Sequence, residues 1–475
     1  MGALEFLCDV RFHKSYTLPP NLETGRDKPY HVSYADYGDP NSNAVVLFCG
    51  ALMGTRFCYS PLDELAKAHN VRIIHPDRPG IGGSDAVDLE KRIQIWLEMV
   101  PQLLAHLGIS HISLASHSGG VIYLINTMLT YPHLLHPQNP YVTFFAPWVH
   151  QSHSKVMQMR ATELLPAPLI GNFANLLRFL NDNVIPLTDL SGSLVQAIRD
   201  SLLSSHTTPA PVPLTPSNRS FRSRAPSISS CETSNRLDLD DPDTVDELRK
   251  YINAFLFAES MDGISADAQL FLKKRSIPWC SSSIFWSDLD YVVPLLSKII
   301  DEEDSLDGSG RRWTIDAFHA DNDNMVGERG QQWFDDCWSQ TQSTAPQQQR
   351  TKSYEYSSEV VEGTEHNFLM DPAFGASELW LQRVRESFPL TVEDYQLPFT
   401  TTPCRIDSTK TDKMLISSRT TQTEFEDGMS SISTRQSSER RRSLRFFLRK
   451  FRDTTRRTIS RRSTLESRQG VLMSS

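Results

Sequence analysis

The segment His111-Ile-Ser-Leu-Ala-Ser-His-Ser118-Gly-Gly120 constrains this chain more than any other. An apolar run ends in a serine, Ser118, with small residues two positions before it (Ser116) and two after it (Gly120). A helical stretch, Gly119 to Tyr131, follows at once. A strand-to-helix turn of minimal length needs small flanks, because bulky side chains would collide where the two elements meet. Such a turn lifts the serine hydroxyl out of the sheet and aims the first helical N–H groups at a developing negative charge. Serine-rich turns are also common in loops, so this segment alone does not separate a site from a bland turn.

Four other segments bear on the choice. Ala44 to Phe48 reads as a buried strand that breaks into Cys49-Gly50-Ala51-Leu52-Met53-Gly54, and a glycine just past an internal strand permits close backbone approach. Val71 to Asp77 is a second strand, followed by Arg78-Pro79-Gly80-Ile81-Gly82-Gly83-Ser84. Ser283 to Trp286 is a short apolar strand ending in Ser287-Asp288-Leu289-Asp290-Tyr291-Val292-Val293-Pro294. Tyr354 to Val361 is a strand candidate that leads into Glu362-Gly363-Thr364-Glu365-His366-Asn367-Phe368. A serine, an aspartate and a histidine therefore occur in that chain order, each just past a strand.

On the strings Tyr34-Ala35-Asp36-Tyr37-Gly38-Asp39-Pro40 and Asp77-Arg78-Pro79-Gly80-Ile81-Gly82-Gly83-Ser84, and on the turn at Ser118, the chain resembles the α/β-hydrolases, the superfamily of lipases, esterases and peptidase-like enzymes. The resemblance runs from about Tyr30 to Leu135 and resumes from about Pro278 to Phe388. It implies a mostly parallel central sheet flanked by helices, with an inserted helical lid. It also implies Ser118 as nucleophile, Asp290 as acid, His366 as base, and the backbone N–H groups of Ala51 and Gly119 as the oxyanion hole. Two positions depart from the family pattern: Ser116 stands where glycine is usual, and Cys49-Gly50 replaces a His-Gly pair. Asp288 competes with Asp290 for the acid. The family spacing of a small residue, two others, aspartate and a nearby proline favours Asp290, through Ser287 and Pro294. His117 adjoins the nucleophile, but neighbours on such a turn point apart. His75 is expected to have a packing or loop role, and Cys49 to be a small apolar filler.

The chemistry implied is acyl transfer. His366 would take the Ser118 proton during attack on a carbonyl carbon, and Asp290 would hold the imidazole in the right tautomer. No metal and no cofactor are expected: the histidines are scattered and no Cys-x-x-Cys pair occurs. The string His319-Ala320-Asp321-Asn322-Asp323-Asn324 lacks the glycine and final glutamate of a calcium loop and reads as a polar surface insert. The expected substrate is a small-molecule ester or lipid. The rival functions are a lipid acyltransferase, on the string His366-x-x-x-x-Asp371, and a non-catalytic scaffold of the same fold.

The 475 residues exceed what one such domain needs. The organisation expected is a first core part over 1–150, a helical lid over 151–276 with a disordered loop at 206–236, a second core part over 277–396 and a disordered basic Ser/Arg-rich tail over 397–475. In the lid, Leu169, Phe173, Leu176, Leu177 and Leu180 line one helical face. In the tail, Leu444, Phe447, Leu448 and Phe451 recur at helical spacing among arginines. Residues 435–462 carry twelve basic and two acidic side chains, in a chain whose net charge is −9. That pattern suits an anionic membrane surface or an acidic partner, and nothing in it points to a specific nucleic acid. No run of about 18 apolar residues is present, the N-terminus lacks a secretory pattern, and seven scattered cysteines suggest a reducing compartment. A cytoplasmic protein, peripheral to a membrane where the tail binds one, is the expectation. Oligomeric state is not legible.

Overall fold

The computed structural model describes residues 1–157, 159, 170–175, 237–272, 289–307, 310–339 and 353–389. The chain divides into two units, Met1–Leu397 and Pro398–Ser475, and the second lies wholly outside the described residues. So do the basic segment, the 206–236 loop, Asp288 and the strand expected at 283–286.

Eight strands form one sheet: β1 (Lys14–Leu18), β2 (Tyr30–Gly38), β3 (Val45–Cys49), β4 (Arg72–Pro76), β5 (Ser113–His117), β6 (Tyr141–Phe145), β7 (Trp313–Asn322) and β8 (Tyr354–Glu365). Their order is β1-β2-β4-β3-β5-β6-β7-β8. The pairs β1–β2 and β2–β4 are antiparallel, and every later pair is parallel. Every residue of β3, β5 and β6 is buried. That explains their near-continuous apolar runs, since helices cover a parallel sheet on both faces.

The helices, in chain order, are α1 (Ala3–Leu7), α2 (Leu62–Ala68), α3 (Arg92–His106), α4 (Val121–Thr130), α5 (Gln151–Ser154), α6 (Pro242–Ala258), α7 (Asp262–Phe271), α8 (Leu289–Asp307), α9 (Gly327–Ser339) and α10 (Ala376–Ser387). On one face of the sheet, Val46, Phe48 and Phe145 pack with Leu62 and Ala66 of α2 and with Trp380, Leu381 and Val384 of α10. The Phe145 ring stacks on Phe318 at 5.1 Å and meets Trp380 edge-on at 5.3 Å. α3 packs on α4, with Trp96 against Tyr123 at 5.1 Å and the Trp96 indole donating to Thr127 Oγ1 at 2.9 Å.

One strand corrects the sequence reading. β7 pairs with β6 on one side and β8 on the other. The string His319 to Asn322 is therefore the end of an internal strand, not a surface insert. β7 escapes a hydropathy reading because its buried positions include Asp316 and His319. Each is paired through one side of its head group: Asp316 Oδ2 accepts from Tyr141 Oη at 2.5 Å and meets Arg383 at 2.7 Å, and His319 Nε2 meets Asp335 at 2.9 Å.

Between β6 and β7 the chain leaves the sheet for an insertion that contains α5, α6, α7 and α8 among the described residues. α7 is wedged rather than loosely laid. A Cβ on Gly263 would lie 2.2 Å from the Pro79 carbonyl, so only glycine allows this approach. Asp267 of α7 is fully buried and pairs with Arg78 Nε at 2.8 Å and Arg92 Nη2 at 2.8 Å, and it accepts from Tyr123 Oη at 2.6 Å. Removing that carboxylate leaves two buried guanidinium groups without their counter-charge. Asp267→Ala is therefore expected to lower unfolding free energy by roughly 3–5 kcal/mol, read as a downward shift of the urea midpoint. A shift no larger than that of an exposed control such as Asp88→Ala would refute the assignment.

Candidate active site

The site is assembled at the carboxyl ends of the parallel strands. Ser118 directly follows β5, Asp323 directly follows β7 and His366 directly follows β8. Ser118 has φ +50°, a left-handed conformation that a non-glycine residue adopts only when its surroundings impose it. The imposing contact is Gly120: a Cβ there would lie 2.0 Å from the Cys49 carbonyl oxygen and 2.8 Å from that of Gly50. The turn therefore presses on the loop after β3, and glycine at 120 is what lets it.

His366 links the other two groups. Its Nδ1 donates to Asp323 Oδ2 at 2.8 Å, since a carboxylate only accepts. Its Nε2 lies 2.8 Å from Ser118 Oγ, where an unprotonated ring nitrogen accepts a hydrogen bond from the hydroxyl. The second Asp323 oxygen accepts from the amides of Met325 at 2.8 Å and Val326 at 2.7 Å. Burial alone would raise the Asp323 carboxyl. The adjoining imidazole and the two amides outweigh it and hold the group below its ordinary value. All three side chains are buried.

The acid inferred from spacing, Asp290, is not at this site. It sits in the first turn of α8, where it approaches His153 Nε2 at 3.1 Å and His150 Nδ1 at 3.7 Å. Its place beside His366 belongs to Asp323. The signal available in the sequence was a strand, Trp313 to Asn322, closed by an acid. Asp371 lies outside the site too: it pairs with Arg249 at 3.2 Å and caps its own turn by accepting from Ala373 N at 3.0 Å.

The two expected amides differ. Gly119 is the second residue of a helical turn, where an amide has no intrahelical acceptor. The Ala51 amide is already engaged, donating to Tyr59 Oη at 2.9 Å. Among the described residues no acceptor takes the amide of Leu52, the next along this loop. Arg78 supports the loop from behind, donating to the Gly50 carbonyl and, at 2.7 Å, to that of Leu52. Asp77 ties the start of the same string: it accepts from the Arg56 amide at 2.7 Å and from Ser33 Oγ at 2.6 Å. Gly82, with φ +61°, lies where a Cβ would be 2.2 Å from Asp77 Oδ2.

Above the turn, the ring of Phe271 covers Gly119 so closely that a Cβ there would lie 2.4 Å from it. Trp148 stands 6.3 Å from that ring. Ile81, Met261, Ile264 and Ala174 form a small apolar cluster with Leu52 packed against it. Cys49 is buried, which pushes its thiol well above the ordinary value, so it acts as a filler. Among the described residues no group of His, Cys, Asp and Glu is arranged to hold a metal ion, and no helix is long and apolar enough to cross a membrane.

No protein-family model matches the chain, and no curated protein matches it in sequence. Solved structures do align with it. A carboxylesterase of Nitrososphaera gargenis is 13% identical, covering 78% of this chain and 98% of its own, with a TM-score of 0.43. The enol-lactonase of Burkholderia xenovorans is 11% identical over 78% and 99%, with a TM-score of 0.41. Epoxide hydrolase A of Mycobacterium thermoresistibile is 14% identical over 80% and 100%, with a TM-score of 0.41. The strand order, the parallel register from β4 onward and the serine turn after β5 make this an α/β-hydrolase-fold protein.

Two further histidines lie beneath the site. Burial, aided by the Arg78 and Arg56 charges, pushes His75 down to about 3, and burial with the neighbouring His366 does the same to His117. Both are neutral in the fold. On unfolding, each takes a proton near its ordinary value of 6.5. Their contribution to stability is thus full above about pH 6.5 and declines as pH falls, until about pH 3, where the folded forms titrate too. Each adds up to about 1.4 kcal/mol per pH unit to that slope. His75→Gln is expected to reduce the slope of unfolding free energy between pH 6 and pH 4 by about one proton's worth. An unchanged slope would contradict a neutral buried His75.

Proposed function

We propose that this protein is a serine hydrolase that cleaves a carboxylic ester through an acyl-enzyme, with Ser118 as nucleophile, His366 as base and Asp323 as the carboxylate behind it. The observation carrying this reading is the continuous line of bonds from Ser118 Oγ through His366 to Asp323, at 2.8 Å and 2.8 Å. Metal, cofactor and extra base are not needed for it. His366 Nε2 accepts the hydroxyl proton as Ser118 Oγ bonds to the acyl carbon. The resulting imidazolium is stabilised by Asp323, whose ionised form is already favoured. The negative oxygen meets the amide of Gly119 and, in place of Ala51, that of Leu52. Donors of this kind contribute roughly 3 kcal/mol each at the transition state. His366 then protonates the departing alkoxide and breaks the ester bond. In the second half it deprotonates water, which attacks the acyl-enzyme, releases the acid and returns the proton to Ser118.

The apolar setting supports an uncharged ester. Phe271, Trp148 and the Leu52–Ile81–Met261 cluster offer no counter-charge near Ser118, whereas an apolar acyl or alcohol group gains by burial against them. Transfer of the acyl group to an alcohol would use the same first half-reaction, but Asp371, the second residue of the string suggesting it, points to no such role.

A fluorophosphonate probe with p-nitrophenyl esters tests the reading. Ser118→Ala is expected to abolish labelling and turnover. Asp323→Asn should lower kcat about 10⁴-fold, as when a triad carboxylate loses its charge and leaves the wrong tautomer. Asp290→Asn should leave kcat unchanged. Labelling that survives in Ser118→Ala would end this reading, and a large loss in Asp290→Asn alone would return the acid to that residue.

A further inference from the structure

His117 is fully buried next to the proposed nucleophile, yet it does not touch it. Its Nδ1 lies 2.9 Å from Tyr59 Oη, and its Nε2 lies 2.9 Å from the main-chain oxygen of His366. Tyr59 Oη in turn receives the Ala51 amide at 2.9 Å. Four residues are thus joined by three hydrogen bonds, with Tyr59, His117 and His366 buried.

The protons on this line are fixed by elimination. An amide only donates, so Tyr59 Oη is the acceptor from Ala51. The phenol has one hydrogen, and the His117 ring nitrogen in front of it is the acceptor that remains. Nδ1 therefore carries a lone pair, Nε2 carries the hydrogen, and that hydrogen is donated to the His366 carbonyl. The opposite tautomer would set an Nε2 lone pair against a carbonyl oxygen and leave the phenol hydrogen without an acceptor. Every bond then runs in one direction: Ala51 to Tyr59, Tyr59 to His117, His117 to His366.

We propose that His117 is a positioning residue that ties two separate parts of the site to each other: the loop carrying His366 and the loop of residues 49–54 that supplies the oxyanion donor. This rests on the reading of Ser118 and His366 as nucleophile and base, and adds to it that their alignment depends on a neutral His117. Without this ring, the turn after β8 loses its hold on the base at the main chain. The Ala51 amide also loses its anchored acceptor, so the loop no longer presents Leu52 in a set direction. The rings of His117 and His366 are only 5.5 Å apart, so a small shift of the carbonyl moves the imidazole that must reach Ser118. A charged His117 would carry hydrogen on both nitrogens and turn the Tyr59 contact against itself, in keeping with the downward shift that burial gives it.

The test uses the full chain and p-nitrophenyl acetate. Ser118→Ala is measured first; if it keeps its activity, the catalytic reading fails and the nitrogen spectrum described below still decides the role of His117. In an active enzyme, His117→Phe removes both bonds and should lower kcat by roughly 10- to 100-fold with KM little changed, as expected for loss of buried hydrogen bonds that align reacting groups. His117→Gln keeps a donor towards the His366 carbonyl, and His117→Asn keeps an acceptor towards Tyr59, so each should recover part of the loss. Tyr59→Phe, which keeps the ring, should lower kcat in the same direction and serves if the His117→Phe variant does not fold. The ¹⁵N spectrum of the resting protein should show His117 as the Nε2–H tautomer at neutral pH. A folded His117→Phe variant with wild-type kcat, a loss confined to KM, or an Nδ1–H or doubly protonated His117 would each overturn the proposal.

Discussion

The close approach of Gly120 to the carbonyls of Cys49 and Gly50 is the constraint from which the site is built. It brings the serine turn and the loop of residues 49–54 together, beside a Ser118 held in a left-handed backbone that costs of order 1–2 kcal/mol. Two features of the sheet hold that geometry. β3 and β5 are paired in parallel up to Cys49 and Ser116, so both loops leave from the same level of the sheet. Arg78 then holds the Gly50 and Leu52 carbonyls from the far side of the loop. The strain is local, while its support comes from regular pairing and a buried guanidinium, neither of which can relax without disturbing the core.

Charge placement follows a consistent logic around this turn. The positive charges near the loop, Arg78 and Arg56, are matched by Asp267, Asp77 and Glu259. The histidines below the loop remain neutral because burial disfavours their charged forms. His366 differs from both in having a carboxylate on its Nδ1 side. Two imidazoles of the three are therefore held neutral by burial, and the third faces a carboxylate.

What the sequence made legible was backbone demand. Gly120, Gly50, Gly82 and the Asp77-Arg78 string announce tight turns whose physics admits few residue types, and Ser118, His366 and Gly119 fall where those turns place them. What it hid was set by long-range pairing. β7 carries Asp316 and His319 in its interior, and their partners, Tyr141, Arg383 and Asp335, lie on other elements. A polar strand so paired looks like a surface loop when read alone, and a carboxylate for His366 was accordingly sought at Asp290. Ala51 misled for a similar reason: its place in the loop was correctly read, but its amide is turned to Tyr59, a partner no local pattern reveals. The lid was legible as inserted helices, and the fixing of one of them was not, because Asp267 finds Arg78 and Arg92 only in three dimensions.

That fixing bears on how substrate can reach Ser118. α7 carries both Asp267, locked to the core, and Phe271, which covers Gly119. An opening that swung α7 away would have to separate a buried carboxylate from two guanidinium groups and would also disturb the Arg78 contacts to the Gly50 and Leu52 carbonyls. The energy required is several kcal/mol and the site would be dismantled as it opened. α7 is therefore better understood as part of the site's wall than as its door. Phe271 sits at the last turn of that wall, where the helix ends. A ring there can rotate about its own side-chain bonds while the anchored turn containing Asp267 stays in place. The space over Gly119 is thus bounded by an aromatic side chain on an anchored helix.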